Sequence, residues 1–218
     1  MLCTDCGADI DLFHPAATGD IPFTKERGDT IVIFAGSFRV WHGAVHLVDA
    51  IRRLRARGRT DIKAVLIGSG PELPSVRKAA DRVEGISVVD PVPHTKLPPI
   101  LAAADIGAAP FDVSAHPALA HEFHWSPLKV FEYMASGLPV VAPYIERLTK
   151  IVRDGCEALL YDAADPDGIA NAIGRLADPV LRRQLGAAAR ARAEEQFNWH
   201  SHCRLLDEAI RAAHARRA

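Results

Sequence analysis

The sequence predicts a doubly wound parallel α/β sheet with extra helices at its C-terminal end. Six short apolar runs alternate with amphipathic helical stretches from residue 30 to residue 161, and only helical patterns follow. Nearly all of these runs are continuously apolar rather than alternating, as expected of strands covered on both faces. The chain of 218 residues, 49% hydrophobic, is long enough to bury a full core.

In chain order, residues 1–29 lack periodicity and carry Gly7, Pro15, Gly19, Pro22 and Gly28, which reads as an irregular lead-in. The strand candidates are 30–35, 62–67, 86–89, 105–109, 138–142 and 158–161. The first helix shows an apolar stripe of Leu47, Val48, Ile51 and Leu54 and is closed by Gly58. The second, begun by Pro71, carries Leu73, Val76, Ala80 and Val83; the third, capped by Thr95, carries Leu97, Ile100, Leu101 and Ala104. A short helix opens with Ser126 as N-cap and Pro127 in its first turn and ends at Gly137. Asp165-Pro166 and Asp178-Pro179 signal two later helices, and a last one runs from about Trp199. The expected division is a lead-in over 1–29, a Rossmann-like domain over 30–198 and a terminal helix over 199–218.

Charge is balanced, with 26 basic and 27 acidic residues, so no global field draws the chain to nucleic acid or acidic lipid. Four scattered cysteines favour reduced thiols over a disulfide framework. The sequence has no apolar signal core and no run of membrane-spanning length, which reads as soluble and cytoplasmic.

The simplest strand order, 3-2-1-4-5-6, makes strands 1 and 4 neighbours whose connections leave in opposite directions, and ligands bind at the carboxyl ends of such a pair. Two loops converge there: Gly36-Ser-Phe-Arg-Val-Trp-His-Gly43 after strand 1, and Pro110 to Ser126 after strand 4. The helix that follows points unpaired N–H groups and a positive dipole end into this crevice, with Lys129 adjacent, and so suits a diphosphate. Lys129 and Glu132, three apart, would ordinarily be a surface ion pair. At the switch point, Glu132 is instead placed to accept hydrogen bonds from vicinal hydroxyls such as those of a ribose. Arg39 offers a bidentate phosphate clamp, while Trp41 has the plainer reading of a lid on the core.

Other patterns are weaker. Gly68-Ser-Gly70, with Asp90 22 residues after Gly68, resembles the start of a dinucleotide fingerprint, but it follows the second strand and Leu73 replaces the third glycine. Cys3-x-x-Cys6 has no second pair at zinc-site spacing, and only His121 and His124 among the loop histidines are at helical spacing.

Several ordered motifs resemble one family. Cys6-Gly-Ala-Asp-Ile-Asp-Leu-Phe-His-Pro15, the Gly36–Gly43 loop, Ile67-Gly-Ser-Gly-Pro-Glu72, Val92-Pro-His94 and Ala103-Ala-Asp105 match in sequence. So do Phe131-Glu-Tyr-Met-Ala-Ser-Gly-Leu-Pro-Val-Val-Ala142, Asp154-Gly155, Asp165-Pro166 and Phe197-x-Trp199. Over nearly all of its length the chain resembles the C-terminal, donor-binding, Rossmann-like half of retaining glycosyltransferases of the GT-B fold, in particular glycosyltransferase family four. The resemblance implies that Ser126, Pro127, Leu128 and Lys129 receive the diphosphate of a nucleotide sugar, that Glu132 holds the ribose, and that backbone around Val92 and His94 meets the base. Gly36, Ser37, Arg39 and His42 would face the phosphates, with Arg39 and Lys129 stabilising the leaving group. Two positions depart from the family pattern: His124 replaces the first of its paired glutamates, and His42 replaces a lysine.

The expected function is therefore binding of a UDP-, GDP- or ADP-linked sugar for hexosyl transfer, with no metal or other cofactor required and no nucleic-acid partner. The resemblance begins at the segment that ordinarily leaves the first domain, so an acceptor-binding N-terminal domain is expected outside this chain, leaving it without turnover alone. Leu205, Leu206 and Ile210 on the terminal helix would be partly uncovered and open to self-association. The alternatives are a nicotinamide dinucleotide-binding domain using Gly68, Gly70 and Asp90, and a noncatalytic sugar-nucleotide sensor or assembly module.

Overall fold

The computed structural model describes residues 5–116 and 126–215. Its elements are β1 (Thr30–Ala35), α1 (Ala44–Ala56), β2 (Ile62–Ile67), α2 (Leu73–Ala80), β3 (Ile86–Val89), α3 (Leu97–Ala103), β4 (Ile106–Ala108), α4 (Leu128–Ala135), β5 (Val140–Pro143), α5 (Glu146–Thr149), β6 (Ala158–Tyr161), α6 (Gly168–Leu176), α7 (Pro179–Gln196) and α8 (Trp199–Ala215). The strands form one parallel sheet in the order β3-β2-β1-β4-β5-β6, as expected. Helices α1, α2 and α6 cover one face, where Leu47, Ile51 and Ile173 meet Val32 and Phe34. Helices α3, α4 and α7 cover the other, where Ile100, Phe131 and Ala189 meet Ile31 and Ile33. Among the described residues no helix is long and apolar enough to cross a membrane.

Between β1 and β4 the ladder opens toward its carboxyl end. Their register runs only from Val32 opposite Ile106 to Ile33 opposite Gly107. Beyond it, the Ala35 N–H donates at 2.8 Å to the hydroxyl of Tyr133 from α4, and that hydroxyl donates to the Ala108 carbonyl at 3.4 Å. Tyr133 is fully buried. The ring fits because Gly107 has no side chain: a Cβ there would lie 2.5 Å from the ring. One phenol thus replaces the missing rungs, holds β1 and β4 apart at the switch point and fixes α4 to the sheet.

The C-terminal end of α4 is closed by a Schellman motif, with Gly137 N–H donating to Met134 and Leu138 N–H to Tyr133, and Gly137 at φ +74°. Arg190 of α7 adds donors to the Ala135 and Phe13 carbonyls at 2.7 and 2.8 Å, binding residues 5–29 to the same helix end. Residues 5–29 contain no helix or extended strand, yet Ala8 and Phe13 are buried, and Ala8 exchanges backbone hydrogen bonds with Phe197 and Trp199.

Several element ends differ from the sequence reading. Helix α4 starts at Leu128 with Pro127 in the N-cap position, and Ser126, expected as the cap, instead accepts the Cys6 N–H at 3.4 Å. Thr95 lies in a single 3₁₀ turn before α3 and caps nothing, because Lys96 precedes the helix. Helix α2 begins at Leu73, two residues after Pro71. Asp165 caps a turn by accepting the Asp167 N–H at 2.9 Å, and α6 begins only at Gly168. Asp178 does cap α7, accepting from Val180 at 2.8 Å, with Pro179 next. Strand β4 is trimmed to 106–108, and β5 is shifted to Val140–Pro143.

Tyr133→Phe removes the acceptor of a buried N–H with almost no change in volume. We expect it to cost about 1–3 kcal/mol of unfolding free energy by urea denaturation. A cost below about 0.5 kcal/mol would mean that the phenol does not carry the β1–β4 junction.

Candidate functional site

The open end of the β1–β4 junction is a crevice of about 480 Å³, within the range of small-molecule sites. The loop after β1 contributes Gly36, Ser37, Arg39 and His42; the start of α4 contributes Ser126, Pro127, Leu128, Lys129 and Glu132; His94 closes the far side. Val92 lines an adjoining cavity of about 240 Å³ that shares Gly36, Ser37 and His94 with the crevice. Of the residues predicted for the site, only His124 is not placed here. With His121 and Cys3, it lies outside the described residues.

The β1 loop holds its shape through the turn after β2. Gly68 and Gly70 take φ +143° and +151°, and a Cβ on either would collide with the backbone of Gly36 or Phe38, at 1.8 and 2.6 Å. The Phe38 N–H donates to Ser69 and its carbonyl accepts from Glu72. These glycines therefore serve backbone packing, and Asp90 makes an exposed pair with Arg77, so the dinucleotide reading has no constellation behind it.

Lys129 is the unusual group. Its side chain is buried, and Nζ has no hydrogen-bond partner among the described residues. It lies 3.9 Å above the Phe34 ring and 5.4 Å from that of Phe111, with Gly36 leaving room for it. The Lys129 backbone N–H, in the first turn of α4, has no acceptor among the described residues either. Burial brings the ammonium down to about 7, and the Glu132 carboxylate opposes that shift.

Its neighbours are similarly dry. The Ser37 carbonyl lies 2.7 Å from His42 Nδ1 and must accept, so the proton sits on Nδ1 and Nε2 is left as an acceptor. Burial and the nearby Lys129 bring His42 down to about 4, so the imidazole is neutral at physiological pH. Glu132, expected to accept from ribose hydroxyls, has His94 Nε2 2.8 Å from its Oε1. Burial raises the Glu132 carboxyl, and His94 works against that rise. Arg39 is exposed, with its guanidinium 5.2 Å from the Trp41 ring, so it reaches the crevice from the solvent side.

Phe34, Phe111, Ala35 and Leu97 complete the walls and were not anticipated as site residues. Phe111 carried a signal, since it opens the loop after β4. Phe34 carried none, because a strand residue's neighbours depend on how helices pack over it.

A second cavity, of about 520 Å³, lies on the other side of Phe111 and includes His46, Arg53, Asp112 and Tyr161. Its basic side chains are engaged: His46 Nε2 lies 3.2 Å from an Asp112 carboxylate oxygen, and Arg53 pairs with Asp167 at 3.2 Å. Among the described residues, only the first crevice presents a buried lysine with unsatisfied donors at a helix start.

Comparison with known proteins agrees with this architecture. Over 216 residues the chain is 30% identical to the alpha-maltose-1-phosphate synthase of Mycolicibacterium smegmatis, covering 88% of this chain and 52% of that one. It superimposes on sucrose-phosphate synthase from Thermosynechococcus elongatus with a TM-score of 0.74 at 25% identity, covering 96% of this chain and 52% of that one. The Anabaena protein HepE in complex with UDP-glucose gives a TM-score of 0.72 at 18% identity, over 94% and 56% of the two chains. The chain spans about half the length of the curated relatives it matches. Residues 29–178 match the family model of glycosyl transferases group 1, and the chain belongs to that family.

Proposed function

We propose that this chain is the donor-binding half of a retaining glycosyltransferase that takes a nucleoside-diphosphate sugar. The observation that carries the reading is Lys129: a buried lysine without a hydrogen-bond partner, on the first turn of α4, facing the β1 loop. A diphosphate oxygen would supply the missing acceptor, and the Lys129 N–H and the helix dipole would favour the same charge. Glu132 would turn from His94 to the ribose hydroxyls, and the adjoining cavity at Val92 would take the base. Arg39 would close over the phosphates from solvent, and His42 Nε2 would accept a hydroxyl of the sugar. Support for the donor class comes from HepE, whose structure holds UDP-glucose.

As the bond to the anomeric carbon breaks, charge accumulates on the leaving diphosphate, where Lys129, the helix N-terminus and Arg39 would stabilise it. The relatives are about twice as long, so the acceptor site is assigned to a further domain, in the same polypeptide or another. The exposed stripe of Leu205, Leu206 and Ile210 on α8 is proposed as a surface such a neighbour or a second copy would cover.

A thermal-shift panel of UDP, GDP, ADP and NAD tests the donor class, because a ligand at 100 times its Kd adds about 2.7 kcal/mol of stability. Stabilisation by NAD alone would overturn the reading. Lys129→Ala and Glu132→Ala are expected to weaken the preferred nucleotide diphosphate by about 10- to 100-fold in calorimetry, the value of a hydrogen bond to a charged group. Unchanged affinity in both variants would remove the site assignment. With donor and a panel of acceptors, the purified 218-residue chain is expected to bind without transferring sugar. Turnover at about 1 per second or faster, the range of ordinary enzymes, would contradict the division of labour.

A further inference from the structure

The unpartnered lysine has a consequence for how the donor enters. An ammonium has three donors and no acceptor capacity, and a buried one needs those donors satisfied. Lys129 Nζ has none satisfied; the face of Phe34 at 3.9 Å and the more distant Phe111 are its nearest aromatic surroundings. The Phe34 face offers the ammonium a cation–π contact but no full hydrogen-bond acceptor, so the neutral amine, which has no charge to desolvate, costs less to bury. We propose that Lys129 is held largely as the neutral amine in the empty crevice and takes up a proton from solvent when a diphosphate binds, so that the donor enters as anion plus proton.

This rests on the diphosphate reading of the crevice and adds to it a linkage to pH. The groups facing Lys129 are few among the described residues. Glu132, on its own helix, is engaged by His94 from the segment before α3. The β1 loop presents His42, whose imidazole is neutral, and Arg39, which is a cation at every relevant pH. The loop after β4 presents the uncharged ring of Phe111. Among the described residues no carboxylate lies within ion-pair distance of Nζ, so an incoming anion is what strongly favours the charged form.

The sign follows from linkage. Bound diphosphate raises the affinity of Lys129 for its proton, so binding takes up protons above the free value of about 7 and none well below it. A nucleotide sugar suits the test because its phosphodiester groups stay ionised throughout. Uptake should be close to zero at pH 6, about half a proton at pH 7 and close to one at pH 8, with affinity falling about tenfold from pH 6 to pH 8. The measurement is calorimetric titration with UDP-glucose, GDP-mannose and ADP-glucose in buffers of different ionisation enthalpy. A ¹³C NMR titration of the lysine ε-carbons in the free protein identifies the group. One lysine should titrate near neutrality, and its signal should move to the charged position on saturation with the sugar nucleotide. Lys129→Arg, permanently charged, should abolish that signal and the uptake; if this variant does not fold, the wild-type titrations still decide. Binding without uptake at pH 8, or uptake with no lysine titrating below pH 9 in the free protein, would overturn the linkage alone. If none of the three sugars binds at any pH, the diphosphate reading fails and the linkage goes with it.

Discussion

The hydroxyl of Tyr133 determines where this molecule can bind anything. Parallel neighbours β1 and β4 separate after two register pairs, and the backbone groups exposed by that separation are satisfied by one phenol from α4. Without it, the Ala35 N–H would be buried and unpaired. The same contact fixes the axial position and rotation of α4, because Tyr133 lies one residue past Glu132 and four past Lys129 on a helix of only eight residues. The crevice and the placement of its two ionisable groups are therefore consequences of a packing solution in the sheet. Gly107 and the Schellman closure at Gly137 are the local conditions that let it form.

The electrostatic character of the crevice follows from that position. A helix start pressed against the carboxyl end of β1 buries Lys129 at the base of the crevice and places its Nζ over Phe34. His42 is drawn neutral by the same burial, and Glu132 is pulled toward its protonated form. Burial thus disfavours formal charge in the depth of the crevice, while the Arg39 guanidinium lies exposed at its mouth. Such a site excludes competing salt and responds strongly to an anion that reaches the helix start, because attraction between charges grows as water is removed. Of the basic side chains near Phe111, His42 is neutral and Arg53 pairs with Asp167 at 3.2 Å.

The strand order was legible in the sequence, although β4 and β5 end elsewhere than the pattern suggests. Continuous apolar runs such as 31–35 and 64–67 fit strands covered on both faces, and the alternation with helices left one simple winding. The crevice followed from topology, and all the expected site residues within the described segments fall in it or beside it. Helix starts were less legible. Pro127 has ψ 73°, outside the helical region, so the Ser126-Pro127 signal leads the helix by one residue more than capping rules suggest. At Asp165 the same N-cap chemistry closes a turn two residues ahead of the helix. What sequence could not supply was environment. The partner of Glu132 is 38 residues away, and the dryness around Lys129 comes from Phe34 and Phe111, on elements that meet only in the folded sheet.

The most direct measurement is a crystal structure of this chain with its preferred nucleoside-diphosphate sugar. The account predicts a phosphate oxygen within about 3 Å of both Lys129 Nζ and the Lys129 backbone N–H, with His94 released from Glu132 and the base beside Val92. A diphosphate seated instead in the 520 Å³ cavity between His46 and Tyr161, with Lys129 still unpartnered over Phe34, would contradict it.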